Sequence, residues 1–271
     1  MCMSDPYRDT SSEQQKTKTL VLSLFPGIGL LDRAFEECGF TIVRGPDLLW
    51  GGEVRTFHPP AGVFDGIIGG PPCQAHSQFA YLVRAVGKRT AVDLIPEFAR
   101  CIREASPKWF LMENSPHAPG PDVDYRIQSF VLDNRWLGEK QSRRRRFFFG
   151  MRDAHVPDLR QYIQPAALEH PDWHRTVLAS GGMRPGTETR RGRMQGKNYG
   201  YTSQRTVRLA LELQGLPENF LDHAPFTIEG KQRVIGNGVP LPLGRAVAQA
   251  IRAAIGLTAE NPAHDANQNH Q

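Results

Sequence analysis

The sequence predicts an α/β fold with a Rossmann-like sheet, and two stretches carry that prediction. Residues 19–25 form an apolar run that ends in Pro26-Gly27-Ile28-Gly29 and leads into an amphipathic helix. Glycines between a buried strand and a helix let the backbone approach a ligand beside the free N–H groups of the helix. A β-branched run at 63–68 stops at Gly69-Gly70-Pro71-Pro72, as a buried strand does at a stiff loop.

Further elements follow from periodicity. Residues 40–44 predict a second strand, and residues 94–102 regain a helical pattern with Pro96 in the first turn, where proline is tolerated. Residues 108–114 predict another strand, with Glu113 and Asn114 as its last two residues. A carboxylate at the end of a buried strand is costly unless it is used or satisfied, so Glu113 is a candidate functional residue.

Composition limits the class of protein. A chain of 271 residues suits one large α/β domain with a small appendage. The 33 Lys and Arg residues against 28 Asp and Glu give a net charge of +5, with basic clusters at 143–146 and 184–197. Such clusters suit a polyanion, although a solvated basic face is the common alternative. No run approaches the roughly 18 apolar residues of a membrane span, which predicts a soluble protein, expected in the cytoplasm.

The four cysteines have no CxxC spacing, which predicts neither a metal site nor a disulfide framework and fits a reducing compartment. Cys73 follows Pro72 at the predicted carboxyl end of a strand, where open α/β sheets bind ligands. A thiol there is placed to react. The alternative is a buried structural cysteine, because free cysteine is among the most buried residue types.

Gly-Pro-Pro-Cys-Gln at 70–74 resembles the nucleophile loop of the DNA cytosine-5 methyltransferases, and four further segments match that family in the same order. The resemblance implies a Rossmann-like S-adenosylmethionine-dependent methyltransferase sheet with a small, irregular target-recognition region. It implies a catalytic and cofactor-binding domain at 18–150, a recognition region at 151–205 and a return to the catalytic domain at 206–257. Residues 1–17 and 258–271 are polar and aperiodic and predict disordered tails.

The resemblance also implies a binding site for S-adenosylmethionine. The glycine loop matches the family's first motif, and a late Gly-Asn-Gly-Val segment matches the motif that closes the cofactor pocket, with Gly238 in place of serine. Asp47 is the candidate for the ribose hydroxyls, with a turn-forming aspartate as the alternative. The predicted cofactor contacts are Phe25, Gly27, Ile28, Gly29, Asp47, Leu48, Glu53, Val54, Pro71, Asn237 and Gly238. Trp50 is an alternative to Leu48 for covering the adenine ring.

The chemistry implied by the family is methyl transfer to C5 of a cytosine that has left the helix stack, through a covalent bond between the thiol and C6. The predicted catalytic residues are Cys73, Glu113, Arg143 and Arg145. Strand alternation predicts that Arg143 and Arg145 share one face and that Arg144 and Arg146 share the other. The resemblance to the family's Gln-x-Arg-x-Arg element implies that Arg143 and Arg145 lie beside the base and phosphate; the alternative is that either pair only contacts phosphates. The predicted DNA contacts are Gln74, Ser77, Arg84, Gln141, Arg184, Arg190, Arg191, Arg193 and Lys197. The helix that begins near Thr206 resembles the helix that, in the family, supports the recognition region.

Two questions remain open at this stage, the class of nucleic acid and the need for a partner. The same motifs serve a tRNA-modifying branch, so the substrate is either DNA or RNA. A recognition region of roughly 50 residues barely supports a core of its own, so the chain is either a monomer or a DNA-binding subunit that needs a partner. A double-stranded DNA substrate, S-adenosylmethionine and no metal are the expectations carried forward.

Overall fold

The computed structural model of the protein describes residues 19–72, 92–152, 155–166, 174–179 and 203–257. Its strands are β1 (Leu20–Leu24), β2 (Thr41–Arg44), β3 (Gly66–Gly69), β4 (Trp109–Asn114), β5 (Arg126–Asp133) and β6 (Arg144–Met151). Its α-helices are α1 (Leu30–Glu37), α2 (Ile95–Ala105), α3 (Gln204–Leu213), α4 (Ile228–Asn237) and α5 (Leu241–Ala254). The α/β prediction is confirmed. No helix in these ranges is both long and apolar enough to span a bilayer.

The six strands form one sheet in the order β2-β1-β3-β4-β6-β5. Strands β1 to β4 are parallel, and β6 runs antiparallel to both β4 and β5. Since β1 has β2 on one side and β3 on the other, the strand order reverses between β1 and β3. The carboxyl edge at such a reversal is where open α/β sheets bind ligands.

The antiparallel direction of β6 brings its first residues to that same edge. Arg146 lies opposite Asn114, the last residue of β4. The carboxyl edge therefore gathers the loop after β1, the loop after β3, the end of β4 and the arginines that begin β6.

Two apolar layers cover the sheet. Alternate residues of β1 and β4, such as Val21 and Leu111, pack in a cluster that includes Val247 and Ile251 of α5. Their neighbours Leu22 and Phe110 belong to a second cluster, which includes residues of α2. Strands buried on both faces explain why the sequence shows nearly continuous apolar runs there.

Helices α3 and α4 form a third cluster with the start of α1. Leu30, the first residue of α1, packs among Val207, Leu211 and Ile235. Two residues of the expected recognition region, Val156 and Leu159, are buried in the α5 cluster, so this part of the chain packs against the sheet and α5. Through the contacts with Leu30, α3 and α4 lie next to the glycine loop that precedes α1.

A buried carboxylate fixes the beginning of α1 on the sheet. Ser23 Oγ donates to Asp32 Oδ1 at 2.5 Å, and Arg44 Nε donates to Asp32 Oδ2 at 2.9 Å. Burial raises the pKa of Asp32, against the opposing effects of Ser23 and Arg44. The contacts join β1, α1 and β2 just below the reversal point.

We expect Asp32→Ala to destabilise the protein by about 1–3 kcal/mol, because the buried Ser23 hydroxyl would lose its acceptor. Urea unfolding followed by circular dichroism measures this. The matched control is Glu36→Ala, since Glu36 lies on the same helix but is exposed, with its carboxylate 3.8 Å from Arg44. We expect the control to change stability by less than about 1 kcal/mol; equal effects would contradict the account.

Candidate active site

The loop after β3 lies against the last two residues of β4. A Cβ added to Gly70 would lie 3.0 Å from Glu113 Oε2, so glycine leaves room for the carboxylate. Asn114 Nδ2 donates to the carbonyl oxygen of Pro71 at 3.1 Å in a buried bond. The Gly-Gly-Pro-Pro loop and the Glu-Asn end of β4 therefore form one unit. Cys73, which follows Pro72 in the chain, lies outside the described residues.

Glu113 is held by an arginine from the neighbouring strand. Arg145 Nε lies 2.8 Å from Glu113 Oε1, and the glutamate is only 8% exposed. Burial raises the pKa of Glu113, while the charges of Arg145 and Arg143 oppose the rise. A carboxyl group in this environment retains a proton to higher pH than an exposed one, which suits an acid.

Arg143 has a different position from the one strand alternation predicts. It is 1% exposed and lies one residue before β6. Its guanidinium donates to the carbonyl oxygens of Val177, Gly236 and Gly238 at 2.9, 2.8 and 2.7 Å. Arg145 reaches Glu113, whereas Arg143 ties together backbone segments that are distant in the sequence.

Gln141 is also in the interior. Its Nε2 donates to the carbonyl oxygen of Leu213 at 2.6 Å, and its Oε1 accepts from Val177 N at 2.9 Å. A side chain with 0% exposure has no surface to offer a duplex. This corrects the expectation that Gln141 contacts DNA, because the side chain satisfies buried backbone groups instead.

The glycine loop after β1 is open on one side. Gly27 has φ +56°, and a Cβ added there would meet nothing within 4 Å. Phe25 also has a positive φ, of 57°, which a non-glycine residue rarely adopts. Gly29 caps α1 without a side-chain hydrogen bond, so the first N–H groups of the helix face the loop.

Asp47 contacts this loop directly. Its Oδ2 accepts from Gly27 N at 2.8 Å, and its Oδ1 accepts from Leu49 N at 2.7 Å. Asp47 thus forms the turn that was its alternative role, and it lies beside the glycine loop. A carboxylate has about four acceptor sites, so these two bonds leave Asp47 able to accept from ribose hydroxyls as well. The contact of Asp47 with a ribose remains a prediction.

An apolar surface borders the same loop. Leu48 and Trp50 are 68% and 56% exposed, and Trp50 Nε1 donates to the carbonyl oxygen of Gly27 at 2.7 Å. The Trp50 ring lies 5.8 Å from that of Phe226, between centroids. Exposed large apolar side chains at a sheet's ligand-binding edge indicate a binding surface.

The neighbouring Glu53-Val54 pair has mixed roles. Glu53 bonds to Arg55, and these hydrogen bonds lower the pKa of Glu53 to about 2. Val54 is buried, and its carbonyl oxygen accepts from Arg100 Nη2 at 2.8 Å. Arg100 was not singled out by the sequence; it anchors this segment to α2.

The late Asn237-Gly238 segment lies against the start of α1. A Cβ added to Gly238 would lie 2.5 Å from Leu30 Cδ1, which explains why a serine does not fit here without a shift of Leu30. Asn237 is exposed and Ile28 is partly buried beside the third cluster. Sequence reasoning missed Gln214, whose Nε2 donates to the carbonyl oxygens of Ile235 and Gly238 at 2.7 and 3.2 Å.

Several predicted site residues lie outside the described ranges, so their roles remain predictions. They are Cys73, Gln74, Ser77, Arg84, Arg184, Arg190, Arg191, Arg193 and Lys197. Within the described residues, no group of three or more His, Cys, Asp or Glu side chains could hold a metal ion.

Solved structures share this architecture. The Entamoeba histolytica methyltransferase EhMeth matches with a TM-score of 0.56 at 12% identity, covering 89% of this chain and 98% of that one. The S. pombe Dnmt2 methyltransferase matches with a TM-score of 0.53 at 14% identity, covering 88% of this chain and 98% of its own. The sheet therefore defines a Rossmann-like methyltransferase fold.

The sequence comparisons narrow the class. A family model for C-5 cytosine-specific DNA methylases matches residues 53–180. The type II methyltransferase M.HgiDI of Herpetosiphon aurantiacus is 29% identical over 175 residues, 53% of this chain and 55% of that protein. M1.ScrFI of Lactococcus lactis subsp. cremoris is 26% identical over 250 residues, 68% of this chain and 61% of its own length. The sequence of the chain is therefore similar to that of the C-5 cytosine-specific DNA methylases, and the chain spans less than two thirds of the length of these relatives.

Proposed function

We propose that the protein transfers a methyl group from S-adenosylmethionine to C5 of cytosine in double-stranded DNA. The observation that carries the proposal is the position of Glu113. It is a buried carboxyl group paired with Arg145, and it lies against Gly70 of the loop that leads to Cys73. The relatives named as type II methyltransferases support the same reaction.

The proposed chemistry uses Cys73 and Glu113 together. The Cys73 thiolate adds to C6 of the base, and the Glu113 carboxyl group donates its proton to N3. The electrons of the C5–C6 bond then make C5 an enamine carbon that can accept a methyl group. Once C5 carries the methyl group, its proton is lost to solvent, the thiolate leaves C6 and N3 returns its proton to Glu113, which restores the aromatic ring and the enzyme. Since these atoms are enclosed in a stacked helix, the cytosine must be flipped out of it.

Arg145 has a defined part in this scheme. Its bond to Oε1 fixes one carboxylate oxygen of Glu113, which leaves Oε2, the oxygen beside Gly70, to meet the edge of the base. The positive charge of Arg145 also opposes the rise in the pKa of Glu113 that burial causes. We propose that the basic residues of 184–197, with Arg84, bind phosphates of the duplex, which makes the affinity dependent on salt.

The residues around the glycine loop fit S-adenosylmethionine. The open space beside Gly27, the uncapped start of α1 and the apolar surface of Leu48 and Trp50 match a ligand with a polar chain and a flat ring. The cofactor supplies an electrophilic methyl group when bound. Phe25 to Gly29 would hold it through the backbone, with Asp47 at the ribose and the Asn237-Gly238 turn closing the pocket.

Trp50→Ala is expected to weaken binding of S-adenosylmethionine by about tenfold, because it removes an exposed ring and the hydrogen bond to Gly27. Isothermal titration calorimetry with the cofactor measures the change. Trp136→Ala is the matched control, since Trp136 is 47% exposed and lies in the turn after β5. If the Trp50 variant binds S-adenosylmethionine as tightly as wild type does, Trp50 is not part of the cofactor site.

The proposed function is tested with tritium-labelled S-adenosylmethionine and the purified full chain at low salt. We expect label in duplex DNA and none in transfer RNA. Label in tRNA alone would overturn the DNA assignment. Labelling of DNA only after a cell extract of the source organism is added would show that a partner subunit is needed.

A further inference from the structure

Three buried polar side chains connect the two halves of the proposed site. They are Gln141, Arg143 and Gln214, and we call them the buried polar network. Each is no more than 1% exposed. They come from the segment before β6 and from the end of α3, and none of them faces solvent.

Arg143 is the centre of this network. Its Nη1 bonds to Val177 O, while its Nη2 bonds to both Gly236 O and Gly238 O. The guanidinium thus satisfies two buried carbonyl groups and the partly buried carbonyl group of Gly238, on two separate segments. A planar fork with fixed donor directions can do this, whereas a lysine ammonium on a flexible stem cannot reproduce the geometry.

The two glutamines hold the same segments from other sides. Gln141 joins Val177 N to Leu213 O, and Gln214 donates to Ile235 O and Gly238 O. Gly238 O therefore accepts from both Arg143 and Gln214. Buried carbonyl groups need such partners, so losing one donor leaves the turn poorly satisfied.

The network connects to both parts of the site. The turn that it holds packs Gly238 against Leu30, directly after Gly29 of the glycine loop. Two residues beyond Arg143, Arg145 grips Glu113. At the start of β6, Arg145 thus orients the carboxyl group of Glu113, and Arg143 orients the turn at Gly238.

We propose that Arg143 is a positioning residue that sets the Asn237-Gly238 turn against the glycine loop and thereby sets the affinity for S-adenosylmethionine. This rests on the proposed function and replaces the direct contact with the base that the sequence predicted for Arg143. The base-side chemistry belongs to Arg145 and Glu113. Arg143 acts through the backbone carbonyl groups of Gly236 and Gly238.

The test compares Arg143→Lys and Arg143→Met with wild type in calorimetric binding of S-adenosylmethionine and in steady-state methyl transfer. We expect the dissociation constant and the KM for the cofactor to rise tenfold or more in both variants. The kcat of Arg143→Lys at saturating cofactor should stay within about threefold of wild type. Arg152→Met is the matched control, because Arg152 also donates to a backbone carbonyl, that of Pro107, just beyond the other end of β6.

A second variant approaches the turn from the other side. Gln214→Leu removes the remaining donor to Gly238 O, and it should also weaken cofactor binding. Combined with Arg143→Lys, its effect should be less than multiplicative, because both act on one carbonyl group. If Arg143→Met fails to unfold cooperatively, Arg143→Lys and Gln214→Leu decide the question.

Two results would overturn the positioning role: cofactor affinity equal to wild type in Arg143→Lys, or a fall in kcat with no change in the KM for the cofactor. The second result would instead support the contact with the base that the sequence predicted for Arg143. Failure of the proposed function has a different signature, since wild type itself would then transfer no methyl group to duplex DNA.

Discussion

Glu113→Gln is expected to lower kcat for methyl transfer by about 10²- to 10⁴-fold, the usual contribution of a positioned acid or base. Glutamine fits the space beside Gly70 and can still accept from Arg145, but its amide N–H is far too weak an acid to transfer a proton to N3. Cofactor binding should be unchanged, because Glu113 lies at the end of β4 and not at the glycine loop. Tritium incorporation into duplex DNA measures the first effect and calorimetry the second.

The pH dependence adds a second readout. Burial raises the pKa of Glu113, so its proton is retained above the ordinary value of a glutamate and lost as pH rises through the shifted pKa. We expect kcat/KM of wild type to fall through that range and the Gln variant to lack this limb. By linkage, wild type also loses stability as pH rises through the same pKa, since the buried carboxyl must then ionise.

The control for this pair of experiments is Glu212→Gln. Glu212 is an exposed residue of α3, bonded to Lys140 at 3.2 Å, and its replacement should leave the rate and its pH profile unchanged. A Glu113→Gln variant with wild-type activity would exclude Glu113 as the acid. Glu113 would also be excluded as the acid if kcat/KM of wild type did not fall as pH rises.

Local pattern was enough to predict the elements that carry the site. The strand before Gly27, the strand before Gly70 and the strand that ends in Glu113 were each found from apolar runs bounded by glycine, proline or a charge. These signals are local because each buried strand must be continuous and each loop needs special backbone angles. The convergence of Gly70 and Glu113 follows from two neighbouring parallel strands ending at one edge.

The buried position of Arg143 within the arginine run could not be predicted from the sequence. Alternation predicts which residues share a face, but Arg143 precedes the strand and its acceptors, Gly236 and Gly238, are more than 90 positions away. Burial of Gln141 depends in the same way on Leu213. Side chains that satisfy distant backbone carbonyl groups leave no periodic signal, so only the folded chain reveals them.

Cys73→Ala is expected to abolish methyl transfer, with a loss of at least about 10⁴-fold, because no other group is proposed to make the bond to C6. The variant should still bind S-adenosylmethionine with wild-type affinity, which separates loss of chemistry from loss of fold. Cys73→Ser is the stricter comparison. It keeps the size of the side chain and replaces the thiol with a far less acidic hydroxyl, so it should be inactive as well.

A duplex that carries 5-fluorocytosine tests the bond itself. After addition of the thiolate and transfer of the methyl group, fluorine occupies the position of the C5 proton and cannot leave as a cation, so the ring cannot be restored. The protein should then remain covalently attached to DNA in denaturing electrophoresis, and peptide mapping should find the attachment at Cys73. Cys38 and Cys101 serve as internal controls, since the first is partly buried, the second is fully buried, and burial raises the pKa of both thiols. Wild type that methylates normal duplex but forms no adduct with the fluorinated one would exclude covalent catalysis.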